Sequence, residues 1–406
     1  MAELEVTTLK SICTLVTDGT HDTPKTLLDG FPFIKAKQIA NGYIDFDDCE
    51  FISYEDHLKV ISRSKPEKGD TLFAHIGATL GATAYINTDE EFSIKNVALF
   101  KPDPEKIDPR YLYYLVLSDE FQARIKNYRT GAAQPFVSLE ILRNQSIKYF
   151  ADITIQRKIT VALSNYDDLI EINKHRIRIL EQMAQSVYSE WFGSVDAKSL
   201  PEGWDVAKLS DLVETQYGYT ESANEIEVGP KFVRGMDINK NSYIKWNEVP
   251  YCPISKDELP KYKLSVWDIL VIRMADPGKA GIVEKEIDAV FASYLIRLKI
   301  KSPKLSPYFL FYFLLSNRYK DYITGASTGT TRKSASAGVI TDIDIFIPPD
   351  HLRQKFEDHI SFLRQLLNNL LDKNVNLRQT RDLLLQRLMS GEVDVDNIAL
   401  ELELEE

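Results

Sequence analysis

Cysteine is scarce in this chain of 406 residues: Cys13, Cys49 and Cys252 are far apart and odd in number. Such a set offers no disulfide framework and fits a reduced, cytoplasmic protein. Long apolar runs are also missing. None approaches the roughly 18 residues that a membrane span needs, and the opening Met1-Ala2-Glu3-Leu4-Glu5 lacks the basic start of a secretory signal. The six histidines (His21, His57, His75, His175, His351, His359) show no HExxH spacing, and no cysteine pair lies near them, so no metal site is expected.

Catalytic signatures are absent in the same way. There is no GxGxxG and no GxSxG, and the stretch Gly325 to Lys333 lacks the GxxxxGK[ST] spacing of a phosphate loop. Ile347-Pro348-Pro349-Asp350 echoes the Asn-Pro-Pro-Tyr motif of adenine methyltransferases without its Asn or its aromatic residue, at a strand-to-helix join. Pro102-Asp103 with Glu105 and Lys106 resembles a nuclease fragment but reads as a turn. No catalytic machinery is legible, and the chain is read as a non-enzyme.

Composition is that of a folded chain, 44% hydrophobic and 27% charged, long enough for two or three domains. The net charge of −11 argues at face value against nucleic acid. Seven of those charges, however, sit in the stretch from Gly391 to Glu406, which has no Lys or Arg; without it the charge is −4. A near-neutral body can hold basic clefts, and local charge decides phosphate contact.

What is present is periodic. Ile159, Leu163, Tyr166, Ile170, Asn173, Ile177, Leu180, Ala184, Val187 and Trp191 recur at alternating steps of four and three, the seam of a paired helix. At an offset of 197 come Phe356, Ile360, Leu363, Leu367, Leu370, Asn374, Leu377, Arg381, Leu384 and Leu388. Folded antiparallel, Ile159 meets Leu388, Ile170 meets Leu377 and Asn173 meets Asn374. A buried Asn needs a polar partner, so this pair is expected to satisfy itself and fix the register.

The remainder repeats too. Gly69 to Ile125 aligns without a gap on Trp267 to Ile323, 198 residues later. Asp70-Thr71-Leu72 matches Asp268-Ile269-Leu270, Pro109 and Pro307 each open a helix, and His75 falls on Arg273. Shared parts read as strands and helices, divergent parts as loops, where specificity resides. The fold expected is α+β: two similar mixed α/β domains separated by two long helices that pair as an antiparallel coiled coil. The first domain spans 1–153, the first helix 154–195, the second domain 196–350, the second helix 351–391 and an acidic tail 392–406. Asp152 and Asp350 are expected as helix caps, and Gly193 and Gly391 as left-handed residues past the helix ends.

Polar loops supply the candidate DNA contacts. In the first half these are Thr20, His21, Lys35, Lys37, Gln38, Thr79, Arg129 and Gln134. In the second they are Tyr217, Tyr219, Thr220, Arg234, Arg273, Lys279, Thr330, Thr331, Arg332 and Lys333. Arg and Lys bond guanine edges, Gln and Asn adenine edges, and Ser, Thr and backbone N–H groups hold phosphates.

With these residues in view, the chain resembles the specificity subunit of a type I restriction–modification system, over essentially its whole length. The phrases that carry the likeness are Asp18-Gly19-Thr20-His21-Asp22-Thr23-Pro24, Gly131-Ala132-Ala133-Gln134-Pro135, Tyr217-Gly218-Tyr219-Thr220 and Gly329-Thr330-Thr331-Arg332-Lys333. At the helix entries they are joined by Gln156-Arg157-Lys158-Ile159 and Arg353-Gln354-Lys355-Phe356. The resemblance implies two target-recognition domains, each reading one half of a bipartite, asymmetric target in double-stranded DNA. It implies that two methylation subunits dock on the helices and that restriction/translocase subunits complete the nuclease. S-adenosylmethionine, ATP and Mg then belong to those partners and no cofactor to this chain. The 33 residues of each seam at about 1.5 Å rise make a ruler of roughly 50 Å. A subunit of a related modification or phage-defence complex would share these features; a coiled-coil protein-binding scaffold would share the helices but not the basic loops.

Overall fold

The long helices are Ile153–Phe192 and Asp350–Met389, each of 40 residues, in a computed structural model that describes residues 4–40, 42–127, 135–327 and 333–393. Asp152 caps the first as expected: its Oδ1 accepts the Thr154 N–H at 2.8 Å. Asp350 departs from expectation. It is the first helical residue, and its carboxylate pairs with Arg353 at 2.7 Å, while still meeting the positive end of the helix dipole.

The two C-terminal glycines also differ. Gly391 is left-handed, with φ 76°, and the Glu392 N–H turns back onto the Arg387 carbonyl at 3.1 Å. Gly193 is not left-handed. Its N–H donates to the Ser189 carbonyl at 2.9 Å, and a Cβ at this place would collide with that carbonyl. Close approach, rather than a positive φ, asks for glycine there.

Every seam position on both helices is buried or half-buried. The chain divides into two compact units, Met1–Ile170 with Leu377–Glu406, and Glu171–Asn376. Each unit therefore owns one end of each long helix. In the first, Ile159 and Leu163 join Leu385 and Leu388 in the core of the mixed domain. In the second, Tyr188 and Phe192 meet Phe356 edge-on at ring separations of 5.9 and 5.0 Å, a favourable geometry for aromatic pairs.

The first unit builds a four-stranded antiparallel sheet in the order Cys13–Asp18, Ala98–Pro102, Thr71–Phe73, Thr83–Tyr85. Beside it Phe31–Lys35 pairs parallel with Ser93–Lys95 and antiparallel with Glu50–Ile52. Leu4–Thr8 pairs with Ser146–Phe150, tying the start of the domain to the strand before the first long helix. The second unit repeats this plan. Its sheet runs Val213–Tyr217, Leu295–Ile300, Ile269–Ile272, Ala280–Ile282. Lys231–Val233 pairs parallel with Ala289–Phe291, and Asp205–Lys208 ties to Asp344–Ile347. Helices Pro109–Leu117 and Pro307–Leu315, each opened by its proline, fill equivalent places.

The repeat extends to single turns. Gly69 has φ 98° and Trp267, 198 residues on, has φ 77°. In both turns a buried aspartate accepts the backbone N–H three residues before it, Asp70 from Glu67 at 2.8 Å and Asp268 from Ser265 at 2.9 Å. A left-handed tryptophan is strained; its ring is fixed edge-on to Tyr308 at 5.3 Å. No helix among the described residues is long and apolar enough to cross a membrane.

Four of the polar side chains buried along the long helices are Asn173, Asn374, Arg381 and Arg364, and each finds a partner. Asn173 Nδ2 donates to Asn374 Oδ1 at 2.8 Å. Arg381 reaches Asp167 at 2.5 Å, and Asp167 also accepts the Tyr114 hydroxyl at 2.6 Å. Arg364, off the seam and 1% exposed, donates through Nε to Glu284 at 2.8 Å and through Nη1 to Ser242 Oγ at 2.8 Å. Removing a charge from water costs several kcal/mol, so partners of this quality are required.

Candidate nucleic-acid interface

In the first unit the site begins where the edge strand Cys13–Asp18 runs out. Gly19 follows, and a Cβ there would collide with the Ile94 carbonyl. The close approach lets the Thr20 N–H bond that carbonyl at 3.1 Å, while the Asn96 N–H returns to the Thr20 carbonyl at 3.2 Å. Asp18, 3% exposed, is the hub. It accepts from Arg63 at 2.5 Å and lies 3.1 Å from His21 Nε2 and 3.8 Å from His75 Nε2. His21 Nδ1 is 2.7 Å from Asn96 Oδ1, and Asn96 is held at φ 51°. His75 Nδ1 lies 2.9 Å from the Val137 carbonyl, and burial pushes this imidazole below its ordinary pKa of 6.5.

The next turn carries Lys35, Lys37 and Gln38. Lys35 pairs with Glu50 at 2.7 Å and Lys37 is exposed. Gln38 is buried, its Oε1 accepting the Lys35 N–H at 3.1 Å and its Nε2 donating to the Asp48 carbonyl at 2.5 Å. It was expected to offer its amide to a base edge; here the amide is committed to capping a turn. Thr79 is exposed in the loop after His75.

The second unit uses the same positions with different side chains. Gly218 occupies the place of Gly19, its missing Cβ making room for the Phe291 and Ala292 carbonyls. Tyr217 stands where Asp18 does, and Arg273 where His75 does, with the Arg273 guanidinium over the Tyr217 ring at 5.0 Å, a cation–π contact. The Tyr217 hydroxyl accepts the Ala337 N–H at 3.1 Å. Lys333 pairs in register with Ala275, two residues beyond Arg273. Tyr217 and Arg273 thus meet, and Lys333 lies on the strand that pairs beside them.

Arg234 repeats the turn of Lys35: its N–H reaches Asp237 Oδ2 at 2.7 Å, and its Nε and Nη2 bond the same carboxylate at 3.1 and 3.0 Å. Lys279 is exposed and pairs with Asp276 at 2.7 Å. Tyr219 leans on Tyr262 at 5.1 Å, and Thr220 is exposed. Arg129, Gln134, Thr330, Thr331 and Arg332 lie outside the described residues.

Sequence reasoning passed over Arg63, Asn96, Glu50 and Asp276, which hold the candidate residues in place. Arg63 and Asn96 are remote in sequence from Asp18 and carry no motif. What the loops offer chemically is a set of donors, hydroxyls and amides, several bases being neutralised by a carboxylate that a phosphate could replace.

A family model described as "Type I restriction modification DNA specificity domain" matches residues 1–182 and 201–377. The chain belongs to this family. Each matched stretch covers one copy of the mixed scaffold and most of the long helix that follows it. Among relatives, the type I restriction enzyme MjaIX specificity subunit of Methanocaldococcus jannaschii is 26% identical over 407 residues, covering 93% of this chain and 91% of the relative. The HindI specificity subunit of Haemophilus influenzae is 21% identical, covering 89% and 94%. In fold the chain is similar to the S subunit of a type I restriction–modification system from M. genitalium, with a TM-score of 0.53 at 16% identity over 96% of each chain.

Proposed function

We propose that this chain is the sequence-specific DNA-binding subunit of a type I restriction–modification enzyme, each specificity domain reading one half of a bipartite, asymmetric target. The observation that carries the reading is the pairing of a repeated scaffold with unlike loops. Asp18 with His75 in one half is replaced by Tyr217 with Arg273 at the same places in the other. Two copies of one reader, with different contact chemistry on an otherwise repeated frame, suit a target whose halves differ.

On this reading the chain is non-catalytic and cytoplasmic, and it partners two methylation subunits and the restriction/translocase subunits. S-adenosylmethionine, ATP and Mg are handled by those partners. Exposed apolar side chains on the long helices support docking there: a groove of about 610 Å³ in the second unit is lined by Ile179, Leu180, Leu366 and Leu370, and Phe362 is 62% exposed. Contiguous exposed apolar surface marks interaction sites.

The test is to express the chain with its companion methylation subunit and map methylated adenines across a plasmid library. Two short defined sequences around a fixed gap are the expected result. A stable complex that binds DNA without methylating it would point to a related modification or defence complex. Absence of both complex and DNA binding would refute the reading.

A further inference from the structure

The second unit contains a polar cleft of about 400 Å³ between the first long helix, the loop after the Arg234–Asp237 turn and the helix Asn317–Ala326. Four bases line it: Arg178, Lys240, Lys279 and Lys320. Glu181 is the single acid among the lining residues, and its carboxylate is engaged by the Ser242 N–H at 2.9 Å; beside the lining, Asp276 pairs with Lys279 at 2.7 Å, a carboxylate that a phosphate could replace. An excess of positive side chains around a concave surface concentrates anions there.

The duplicated scaffold supplies an internal control. At the offset of 198, Lys279 falls on Gly81 and Lys320 on Gln122. In the first unit Gln122 Nε2 donates to the Gly81 carbonyl at 3.0 Å, and a Cβ on Gly81 would collide with the Gln122 amide. At this pair of positions the first copy carries a glycine and an uncharged amide in contact, and the second copy carries two lysines. The shared scaffold does not require these charges, so Lys279 and Lys320 are a local feature of the second half.

The ligand chemistry follows from the lining. Lysine and arginine heads among Gln182, Gln185 and Asn241 side chains offer many donors around a small volume, which suits a phosphate. The cleft's position favours DNA as the source. The lining residues 238–242 follow directly on the Arg234–Asp237 turn, and Lys279 lies six residues after Arg273, so the cleft is built from the same chain segments as the candidate DNA contacts.

We propose that this cleft binds a phosphodiester of the DNA backbone flanking the half-target read by the second domain, a contact that adds affinity without reading bases. The assignment rests on the reading of the chain as a DNA-binding subunit. It makes the two halves unequal in their hold on DNA: the second domain grips backbone at a place where the first does not.

The test uses the full chain with its methylation subunits and a duplex carrying the mapped target. Affinity is measured across salt concentrations for the wild type and for a variant carrying Lys240→Gln and Lys320→Gln. Each phosphate contact contributes about one to the slope of log affinity against log salt. The variant is expected to lose one to two from that slope, to bind about tenfold more weakly at physiological salt, and to methylate the same motif. Unfolding temperature is expected to stay constant, since both lysines are exposed. An unchanged slope and affinity would overturn the proposal, and so would a changed motif, which would make the cleft a reader of bases. Binding of ATP by the wild-type complex without DNA, lost in the variant, would assign the cleft to a free nucleotide and overturn the DNA assignment. Failure of the wild-type complex to bind DNA at all would instead remove the functional reading on which the proposal rests.

Discussion

Asn173 and Asn374 share one hydrogen bond, 2.8 Å from Nδ2 to Oδ1, inside an otherwise apolar stretch of helix seam. Both side chains are buried, at 6% and 3% exposure, and each is the other's polar partner. Replacing Asn173 alone with leucine strands the Asn374 amide, at a cost of about 1–3 kcal/mol, and is expected to lower the unfolding temperature by a few degrees. Replacing both with leucine should recover that loss, while loosening the choice of register that a polar pair enforces. Calorimetry on the two variants tests this; a single variant as stable as the wild type would make the pair incidental.

A second buried pair makes a sharper demand. Arg364 lies in the second unit against Glu284 and Ser242, and Glu284 also accepts the Tyr308 hydroxyl at 3.0 Å. Burial opposes the charge on Arg364, but Glu284 beside it holds the guanidinium protonated. Arg364→Met leaves the Glu284 carboxylate buried without its cation, which costs about 3–5 kcal/mol. Adding Glu284→Gln removes the stranded charge while keeping an acceptor for Tyr308, so the double variant should be more stable than Arg364→Met alone. Equal instability of the two would show that packing, not charge, is what Arg364 supplies.

These two pairs were not equally legible in sequence. The asparagines lie on a seam whose period announces the helix pair, and antiparallel pairing of the two seams about their midpoint pointed each to the other. Arg364 lies one residue off that seam, and its partners are 80 and 122 residues away, so nothing local marked it as buried. Several strands and the helix starts were legible because periodicity and proline are local signals, whereas the order of strands in each sheet was not. The recognition loops were legible only as places. That Gln38 caps a turn, and that Asp18 gathers His21, His75 and Arg63, depends on long-range closure no spacing encodes.

Gly19 and Gly218 permit that closure in each half. At either place a Cβ would strike a backbone carbonyl, of Ile94 in one case and of Phe291 and Ala292 in the other, and backbone cannot yield as a flexible side chain can. Gly19→Ala should therefore displace Thr20 and His21 and weaken reading of one half-target. Gly218→Ala should displace Tyr217 and Tyr219 and weaken reading of the other. Methylation maps of the two variants are expected to lose stringency in opposite halves. Loss in the same half for both would contradict the assignment of one domain to each half.

The buried imidazole of His75 gives stability a direction in pH. Burial, which outweighs the opposing pull of the Val137 carbonyl and Asp18, lowers its pKa from 6.5 in the folded chain. The unfolded chain therefore binds the proton first, and stability rises with pH wherever it does so. The contribution is fully present above 6.5 and is lost as pH falls below it toward the depressed folded value. His57 acts in the same direction, its ring buried against Phe31 at 4.0 Å and its pKa lowered by that burial. The unfolding temperature should fall between about pH 7.5 and pH 5.5. His75→Gln, which can still donate to the Val137 carbonyl, should flatten that fall. The same slope in the variant would mean that this imidazole titrates alike in the folded and unfolded chains.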